Sequence, residues 1–403
     1  MEVPMIETAE GTVARILRQR LDQHQQGLLD AAQDGQAFAR AVRLASDCVE
    51  RDGRLLFCGN GGSAAVTSHL TQALMGPLMG PRPVAALNLS ESSACATGLG
   101  RDYGYAAVFQ RQVELLGRSG DVLIALSTSG NSPNVLNAAQ AAAEKGIAVI
   151  ALTSEPGGKL APLADVWLPA QTRDSTCAEN VHLSVLLVLG ECLRDLVHGE
   201  RGAGSPDDEQ AQIVELLQRR LHELAQTVAA CHEQVGPFTR AVMWVRDSFE
   251  RGHQLLVCGN GGSASLCTHL ATMCMGRPYG TRPMPVVVLA ALTPPLTALA
   301  NDYDYDYIYA RQLEAFGRSG DVFLAFAADE AANVLSAVKA AKAKGLPVIV
   351  LTRQSAGAVT QLADASLSGG TDDTHLCEVV HKILVLTLAQ AARTLMQPPV
   401  KPW

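Results

Sequence analysis

"CGNGGSA" occupies Cys58–Ala64 and returns unchanged at Cys258–Ala264, 200 residues further along a chain of 403. The likeness extends outward from this turn. "RDYGYAAVFQRQVE" (Arg101–Glu114) returns as "NDYDYDYIYARQLE" (Asn301–Glu314), and "LLGRSGDVLIAL" (Leu115–Leu126) as "AFGRSGDVFLAF" (Ala315–Phe326). "EKGIAVIALT" (Glu144–Thr153) returns as "AKGLPVIVLT" (Ala343–Thr352). The offset is 200 at Asp121/Asp321 and 199 at Glu144/Ala343, so the second copy is one residue shorter between those points. A unit this long is a duplicated domain rather than a solenoid repeat. The reading gives a first domain over 1–200, a linker over 201–210 and a second domain over 211–403. The joint falls within "HGERGAGSPDDEQ" (His198–Gln210), rich in Gly, Pro and charge.

Within each copy, short apolar runs alternate with helical patterns. In the first copy the runs are Arg54–Gly59, Pro83–Ser90, Asp121–Ser127, Ile147–Thr153 and Asp165–Ala170. Continuous apolar strands separated by helices predict an α/β domain with a parallel sheet covered on both faces. Ligands of such sheets bind where strands end and loops lead into helices. Polar helical stretches, Ile6–Asp52 and Gln210–Gly252, precede the first strand of each copy and are expected to pair between domains.

The glycine turn follows a strand and opens a helix. Its glycines allow close approach of a ligand, and helix N-terminal amides favour an anion. The loop after the third strand sharpens this reading. "STSGNS" (Ser127–Ser132) places four hydroxyls, on Ser127, Thr128, Ser129 and Ser132, before a helix starting near Pro133. One hydroxyl suffices to cap a helix. Four of them, with no cationic residue among them, predict a cradle for the phosphate of a phosphosugar.

Composition narrows the alternatives. Apolar residues make up 48% of the chain and charged residues 18%, enough for packed cores. The formal charge is −8, and no block of Lys and Arg offers a nucleic-acid footprint. The N-terminal "MEVPMIETAE" is acidic and does not read as a signal peptide. "VHLSVLLVLGECL" (Val181–Leu193), interrupted by His182 and Glu191, reads as too short to span a bilayer. The ten cysteines are scattered, mostly in apolar runs, which suits reduced, buried thiols in a cytoplasmic protein. "CTHLATMC" (Cys267–Cys274) reads as a helix face rather than a metal cluster.

Taken together, "GNGGS", "RDYGY" and "GRSGDVLIALSTSGNSPNV" resemble the sugar isomerase (SIS) domain family, most nearly its phosphoheptose isomerases. The resemblance covers about Thr12–Val197 and Ile213–Met396. It implies a five-stranded parallel sheet with flavodoxin-like winding, flanked by helices, and tetramers with sites at subunit interfaces. A two-copy chain would then pair as a homodimer into a pseudo-tetramer. Carried over residue by residue, Asn60, Gly61, Gly62 and Ser63 would meet the sugar. Asp102 would line the pocket, and Ser127, Thr128, Ser129 and Ser132 would hold the phosphate, with a heptose phosphate as the expected ligand.

The catalytic pattern of the family is broken. Aldose–ketose isomerisation needs a general base beside the reacting carbons. Phosphoheptose isomerases carry a His and, four residues on, a Glu after the glycine turn. A later helix adds a Gln and, eight residues on, a His, and the four can bind zinc. Here His69 is followed by Ala73, and Glu179 by Leu187. In the second copy His269 is followed by Met273, and Glu378 by Leu386. Asp102, Glu179 and His69 are the polar groups left as candidate acid or base, and His69 and Glu179 are the two left as candidate zinc ligands. In the second copy "AADEAA" (Ala327–Ala332) replaces the hydroxyl loop, with Asp329 and Glu330 set to repel phosphate. Two readings stay open. One is a non-catalytic phosphosugar-binding protein with a regulatory or protein-partner role, as in the SIS-family protein that associates with a bacterial replication initiator. The other is a sedoheptulose 7-phosphate isomerase, or another phosphosugar isomerase, with different acid and base groups.

Overall fold

The computed structural model describes residues 8–76, 78–197, 205–276, 282–328, 331–355 and 357–396. In chain order the first elements are α1 (Ala9–Ala31), α2 (Gly35–Glu50), β1 (Leu55–Cys58), α3 (Gly62–Met75), β2 (Ala86–Asn88) and α4 (Ser93–Tyr103). They continue with α5 (Val108–Leu116), β3 (Val122–Leu126), α6 (Pro133–Glu144), β4 (Ala148–Ser154), β5 (Val166–Ala170) and α7 (Ser175–Val197). The second copy supplies α8 (Pro206–Ala230), α9 (Val235–Glu250), β6 (Leu255–Cys258), α10 (Gly262–Met275), β7 (Val286–Val288), α11 (Thr293–Asp302) and α12 (Ile308–Phe316). It ends with β8 (Val322–Ala327), α13 (Ala332–Ala343), β9 (Val348–Thr352), α14 (Ala358–Leu362), β10 (Ala365–Ser368) and α15 (Thr374–Leu395).

Each copy builds one five-stranded, wholly parallel sheet, ordered β2-β1-β3-β4-β5 and β7-β6-β8-β9-β10. The continuous apolar runs have the physical reason expected of them. Every residue of β1 and β3 is buried. Side chains alternate between faces, so Leu56, Cys58, Leu123, Ala125, Val149 and Ala151 pack on one side against α5 and α6. Helices α2, α3 and α7 cover the opposite face. Strand β5 alternates instead, with Trp167 and Pro169 half-buried, because it is a sheet edge, where proline is tolerated. Strand β2 is much shorter than the run Pro83–Ser90. Only Ala86–Asn88 pair with β1, and the Asn88 side chain then accepts from the Ser90 amide and turns the chain.

The repeated "RSGD" is a structural anchor. Buried Asp121 accepts from the Arg54 amide at 2.9 Å, the Arg118 amide at 2.9 Å and the Arg54 guanidinium at 3.1 Å. It thereby joins the amino ends of β1 and β3. Asp321 does the same through the Gln254 and Arg318 amides at 3.1 and 2.8 Å.

The chain forms two compact units that do not divide between the copies. One runs from His24 to Ala225. The other joins residues up to Gln23 with those from Gln226 onward. The unit boundaries fall within α1 and α8, so each leading helix contributes residues to both units. In the first unit Arg220 of α8 holds buried Glu191 of α7 at 2.7 Å. In the other, Arg20 of α1 donates to Gln390 of α15 at 2.5 Å. The expected linker 201–210 is helical from Pro206 on, and residues 198–204 lie outside the described residues.

Two further expectations meet the structure. The run Val181–Leu193 belongs to α7, which at 23 residues is long and apolar enough to cross a bilayer, contrary to the sequence reading. Its apolar window is 100% buried within the protein, packed against α2, α3 and β4. Nine of the ten cysteines are buried and all are free thiols, Cys95 being the exposed one. Burial pushes the Cys58 and Cys274 thiols up to about 12. No metal-binding group of three His, Cys, Asp or Glu side chains, at Cys267–Cys274 or elsewhere, occurs among the described residues.

His381 of α15 is fully buried, with Nε2 2.9 Å from the Thr352 carbonyl at the end of β9. Burial lowers its pKa from 6.5 to about 4, against the opposing pull of that carbonyl and Glu378. Below pH 6.5 the unfolded chain takes up a proton that the native imidazole refuses until about pH 4. Stability therefore falls as pH drops through this window, by about 3 kcal/mol in all. His381→Gln keeps an N–H for the carbonyl and removes the titration. Urea unfolding at stepped pH is expected to give a visibly flatter stability profile for that variant between pH 6.5 and 4.

Candidate functional site

The site grows from the carboxyl ends of β1, β3 and β4. β1 runs into Gly59–Gly61, and Gly61 turns the chain with φ +54° and ψ −116° so that α3 starts at Gly62. Its counterpart Gly261 has φ +53° and ψ −122°. A side chain is strained at this φ, which accounts for glycine in both copies. Ser63, in the first turn of α3, is buried, while Asn60 beside it is half-buried.

β3 ends in the hydroxyl loop. Ser127 is buried, and its Oγ donates to Ser132 Oγ at 3.0 Å. The Ser129 hydroxyl accepts from the Asn131 amide at 3.2 Å, and the Gly130 amide donates to the Ser127 carbonyl at 2.8 Å. Ser132 stands at the N-cap of α6 without capping it through its side chain. The four hydroxyls are thus gathered within one tight turn at a helix N-terminus, an arrangement suited to oxyanions.

The segment after β4 braces this loop. Ser154 donates its amide to the Thr128 carbonyl at 2.9 Å, Leu160 to the Gly130 carbonyl at 3.0 Å, and Lys159 to the Asn131 side chain at 3.3 Å. Gly130 has φ +62°, and a Cβ there would stand 2.0 Å from the Gly157 carbonyl oxygen.

The turn after β1 and the loop after β3 are joined by two side-chain amides. Asn60 Nδ2 donates to Asn134 Oδ1 and Asn134 Nδ2 donates back to Asn60 Oδ1, each at 2.9 Å. Tyr105, in a single 3-10 turn after α4, donates its hydroxyl to Asn60 Oδ1 at 2.8 Å. Sequence reasoning missed Tyr105 and Asn134 as members of the site. A signal was present: both recur, as Tyr305 and Asn333, although the hydroxyls between them do not.

The other candidates stand differently. The Glu179 carboxylate lies at the start of α3, where a Cβ on Gly62 would come within 2.3–2.5 Å of it. A carboxylate is favoured beside a helix N-terminus, and Glu378 in the second copy accepts from Ser263 Oγ at 3.0 Å. His69 is buried on α3. Asp102 is not gathered with the hydroxyl loop by any described bond. It is about half exposed on α4 and paired with Arg101 at 2.7 Å. Ala73 and Leu187 are buried at 2% and 3% exposure and offer no donor atom. Of the four positions at which the resemblance sets a zinc site, His69 and Glu179 carry a side chain able to ligate and Ala73 and Leu187 do not. His182 is also accounted for. It is buried, with Nε2 3.2 Å from the Thr153 carbonyl, and serves the packing of α7 on β4.

The second copy keeps the frame and loses the lining. Asn260 and Asn333 form the same reciprocal pair at 2.9 Å each. Between them Ala327 and Ala328 are buried, and Asp329 and Glu330 lie outside the described residues. The missing residue of this copy falls here, since Ala327 matches Ser127 at offset 200 and Asn333 matches Asn134 at 199. A cavity of about 620 Å³ is lined by Arg43, Asp47, Glu50, Asp195, Glu209 and Arg219 among others. Its lining includes none of the candidate residues.

Comparison with known proteins agrees with this frame. A model of the SIS domain matches residues 21–154 and again 221–353. The phosphoheptose isomerase of Rhodospirillum rubrum is 42% identical over 150 residues, which are 37% of this chain and 80% of that protein. That of Nitratidesulfovibrio vulgaris is also 42% identical over 150 residues, 36% of this chain and 72% of that protein. Among solved structures, the C-terminal domain of glucosamine-fructose-6-phosphate aminotransferase from Francisella tularensis matches with a TM-score of 0.59 at 12% identity. That match covers 94% of this chain and 95% of the other, and it speaks for the fold alone.

Gly130→Ala combines a strained φ with a collision against fixed backbone. It is expected to cost roughly 2–4 kcal/mol. Gly120→Ala, at φ +91° with open space around it, carries the strain alone and should cost about 1–3 kcal/mol. Urea midpoints of the two variants, compared with the parent, measure the difference.

Proposed function

This chain belongs to the SIS domain family, with two copies in tandem, and on that premise we propose that its first copy binds a phosphosugar without isomerising it. One observation carries the reading. The hydroxyl loop of the first copy is complete, while both positions that move protons in the phosphoheptose isomerases hold buried apolar side chains, Ala73 and Leu187. Ser127, Thr128, Ser129 and Ser132 receive the phosphate, and Asn60, Gly61, Gly62 and Ser63 meet the sugar chain, with Asp102 at the pocket's edge. A heptose phosphate is the ligand class favoured by the 42% identity to phosphoheptose isomerases. Binding proceeds without zinc, because Ala73 and Leu187 supply no ligand. The role is regulatory, exercised through a protein partner. Free, buried thiols favour a cytoplasmic setting.

The same identity favours a second reading, an aldose–ketose isomerase in which Asp102, Glu179 or His69 takes over proton transfer. Incubating the purified chain with sedoheptulose 7-phosphate, with and without zinc, separates the two. Saturable binding with no heptose product is expected. Turnover at ordinary enzyme rates, about 1–10³ per second, overturns the binding reading in favour of the isomerase.

Two more outcomes follow from this proposal. Ser127→Ala with Ser129→Ala is expected to weaken phosphosugar binding by about 2–3 kcal/mol, whereas Ala327→Ser changes nothing. Calorimetry measures both, and two equivalent sites per chain would contradict the asymmetry. Two chains are also expected to pair into a pseudo-tetramer. In support, α4 and α11 bury none of their residues, and Tyr103, Tyr105, Tyr303, Tyr305 and Tyr307 are each more than half exposed. Light scattering should report twice the 42.5 kDa chain mass at micromolar concentration.

A further inference from the structure

Asn134 and Tyr105 fix what Asn60 can offer a ligand. The argument begins at the backbone. The Val135 amide, in the first turn of α6, donates to Asn134 Oδ1 at 3.1 Å. That N–H is shared with the Ser132 carbonyl at 3.0 Å, and an NH2 group turned toward it would set donor against donor, so Oδ1 of Asn134 occupies that position and its Nδ2 the other. Nδ2 faces Asn60 at 2.9 Å and demands an acceptor in turn, so Asn60 must present Oδ1 to it. The same Oδ1 then lies 2.8 Å from the Tyr105 hydroxyl, which must donate. Both lone pairs of Asn60 Oδ1 are thereby used, one by Asn134 and one by Tyr105. One of the two Asn60 N–H bonds goes to Asn134. The other has no partner among the described residues, and Asn60 is half-buried, at the mouth of the glycine turn. The Tyr105 oxygen, with its proton committed, keeps its lone pairs for another group, and Tyr105 is 59% exposed.

We propose that Asn134 is a positioning residue that locks Asn60 as a donor, and that Asn60 and Tyr105 read the hydroxyls of the sugar chain, Asn60 by donating and Tyr105 by accepting. The assignment rests on the phosphosugar reading given above and adds to it a rule of selection. The hydroxyl loop holds the phosphate whatever carries it; the amide and the phenol together require a polyhydroxylated carrier. A hydroxyl group can both accept and donate, so neighbouring sugar hydroxyls satisfy both partners, whereas inorganic phosphate needs neither. The second copy keeps the amide pair and a tyrosine near it, Tyr305 at 3.5 Å from Asn260 Oδ1. There a second phenol, Tyr309, donates to the Gly259 carbonyl at 2.7 Å and lies 3.1 Å from that oxygen, where the first copy has Phe109.

The test compares two ligands on two proteins. Sedoheptulose 7-phosphate and inorganic phosphate are titrated into the parent chain and into Tyr105→Phe, whose exposed position leaves folding intact, as thermal unfolding checks. Loss of one hydrogen-bonding group is expected to weaken the sugar phosphate about five- to tenfold and to leave inorganic phosphate unchanged. Amide NMR of the parent gives a second readout, one that a merely structural role would not move. Of the two Asn60 Nδ2 protons, one should shift when the sugar phosphate is added and the one bound to Asn134 should stay. Equal affinities for parent and variant, an equal loss for both ligands, or no shift of either Asn60 proton overturns the assignment. A parent chain that binds neither ligand overturns the phosphosugar reading and this assignment with it, an outcome told apart by the parent's own isotherms.

Discussion

The pairing of β1 with β3 is the constraint on which the site depends. The chain leaves β1 for β2 on one side and returns to place β3 on the other, so the winding reverses between these neighbours. Loops that leave adjacent strands at such a reversal splay apart and open a crevice at the carboxyl edge. Both ends of the pairing are held by a polar side chain. Asp121 joins the amino ends through the Arg54 and Arg118 amides. The Asn60–Asn134 bridge joins the turns that follow the carboxyl ends. Between them the strands run in register from Leu55/Val122 to Cys58/Ala125. With both ends tied, the glycine turn and the hydroxyl loop face one another at a fixed spacing, which a ligand contacting both requires.

Duplication shows which parts of this design recur in both copies and which differ. Asp321 repeats the lower tie and Asn260–Asn333 the upper one. What changed lies between them, where eight residues from Ser127 to Asn134 became seven from Ala327 to Asn333 and every hydroxyl was lost. A loop tied at both ends by hydrogen bonds tolerates a change of length and lining without disturbing the sheet. The second copy thus keeps the sheet and both ties while its loop differs in length and lining.

Particular elements show how far the sequence reading reached. All five strands of the first copy lie within their apolar runs, and the interior strands β1, β3 and β4 read most directly because parallel strands buried on both faces are apolar nearly throughout. The run Pro83–Ser90 yielded only Ala86–Asn88, since an edge strand is as long as its one neighbour allows. The acidic start of α8 looked like linker because Asp207, Asp208 and Glu209 lack apolar periodicity. Those carboxylates suit the first turn of a helix, where they meet its positive end. The apolar core of α7 was underestimated because His182 and Glu191 interrupt it. Each has a polar partner inside the protein, the Thr153 carbonyl for His182 Nε2 and Arg220 for Glu191.

By itself the sequence determined the duplication, the α/β class, the turn at Gly61, the hydroxyl loop and the absence of donors at Ala73 and Leu187. These are local facts of composition and spacing, and each follows from one short stretch of chain. The tertiary structure alone decided the rest. It divided α1 and α8 between two compact units, set the Glu179 carboxylate against the start of α3, and left Asp102 facing Arg101 on an exposed helix. It also brought Asn60 to Asn134, 74 residues away, and to Tyr105, 45 residues away. The direction of a hydrogen bond is a property of the pair, so the donor that Asn60 offers could not be read until the partners on its oxygen were known.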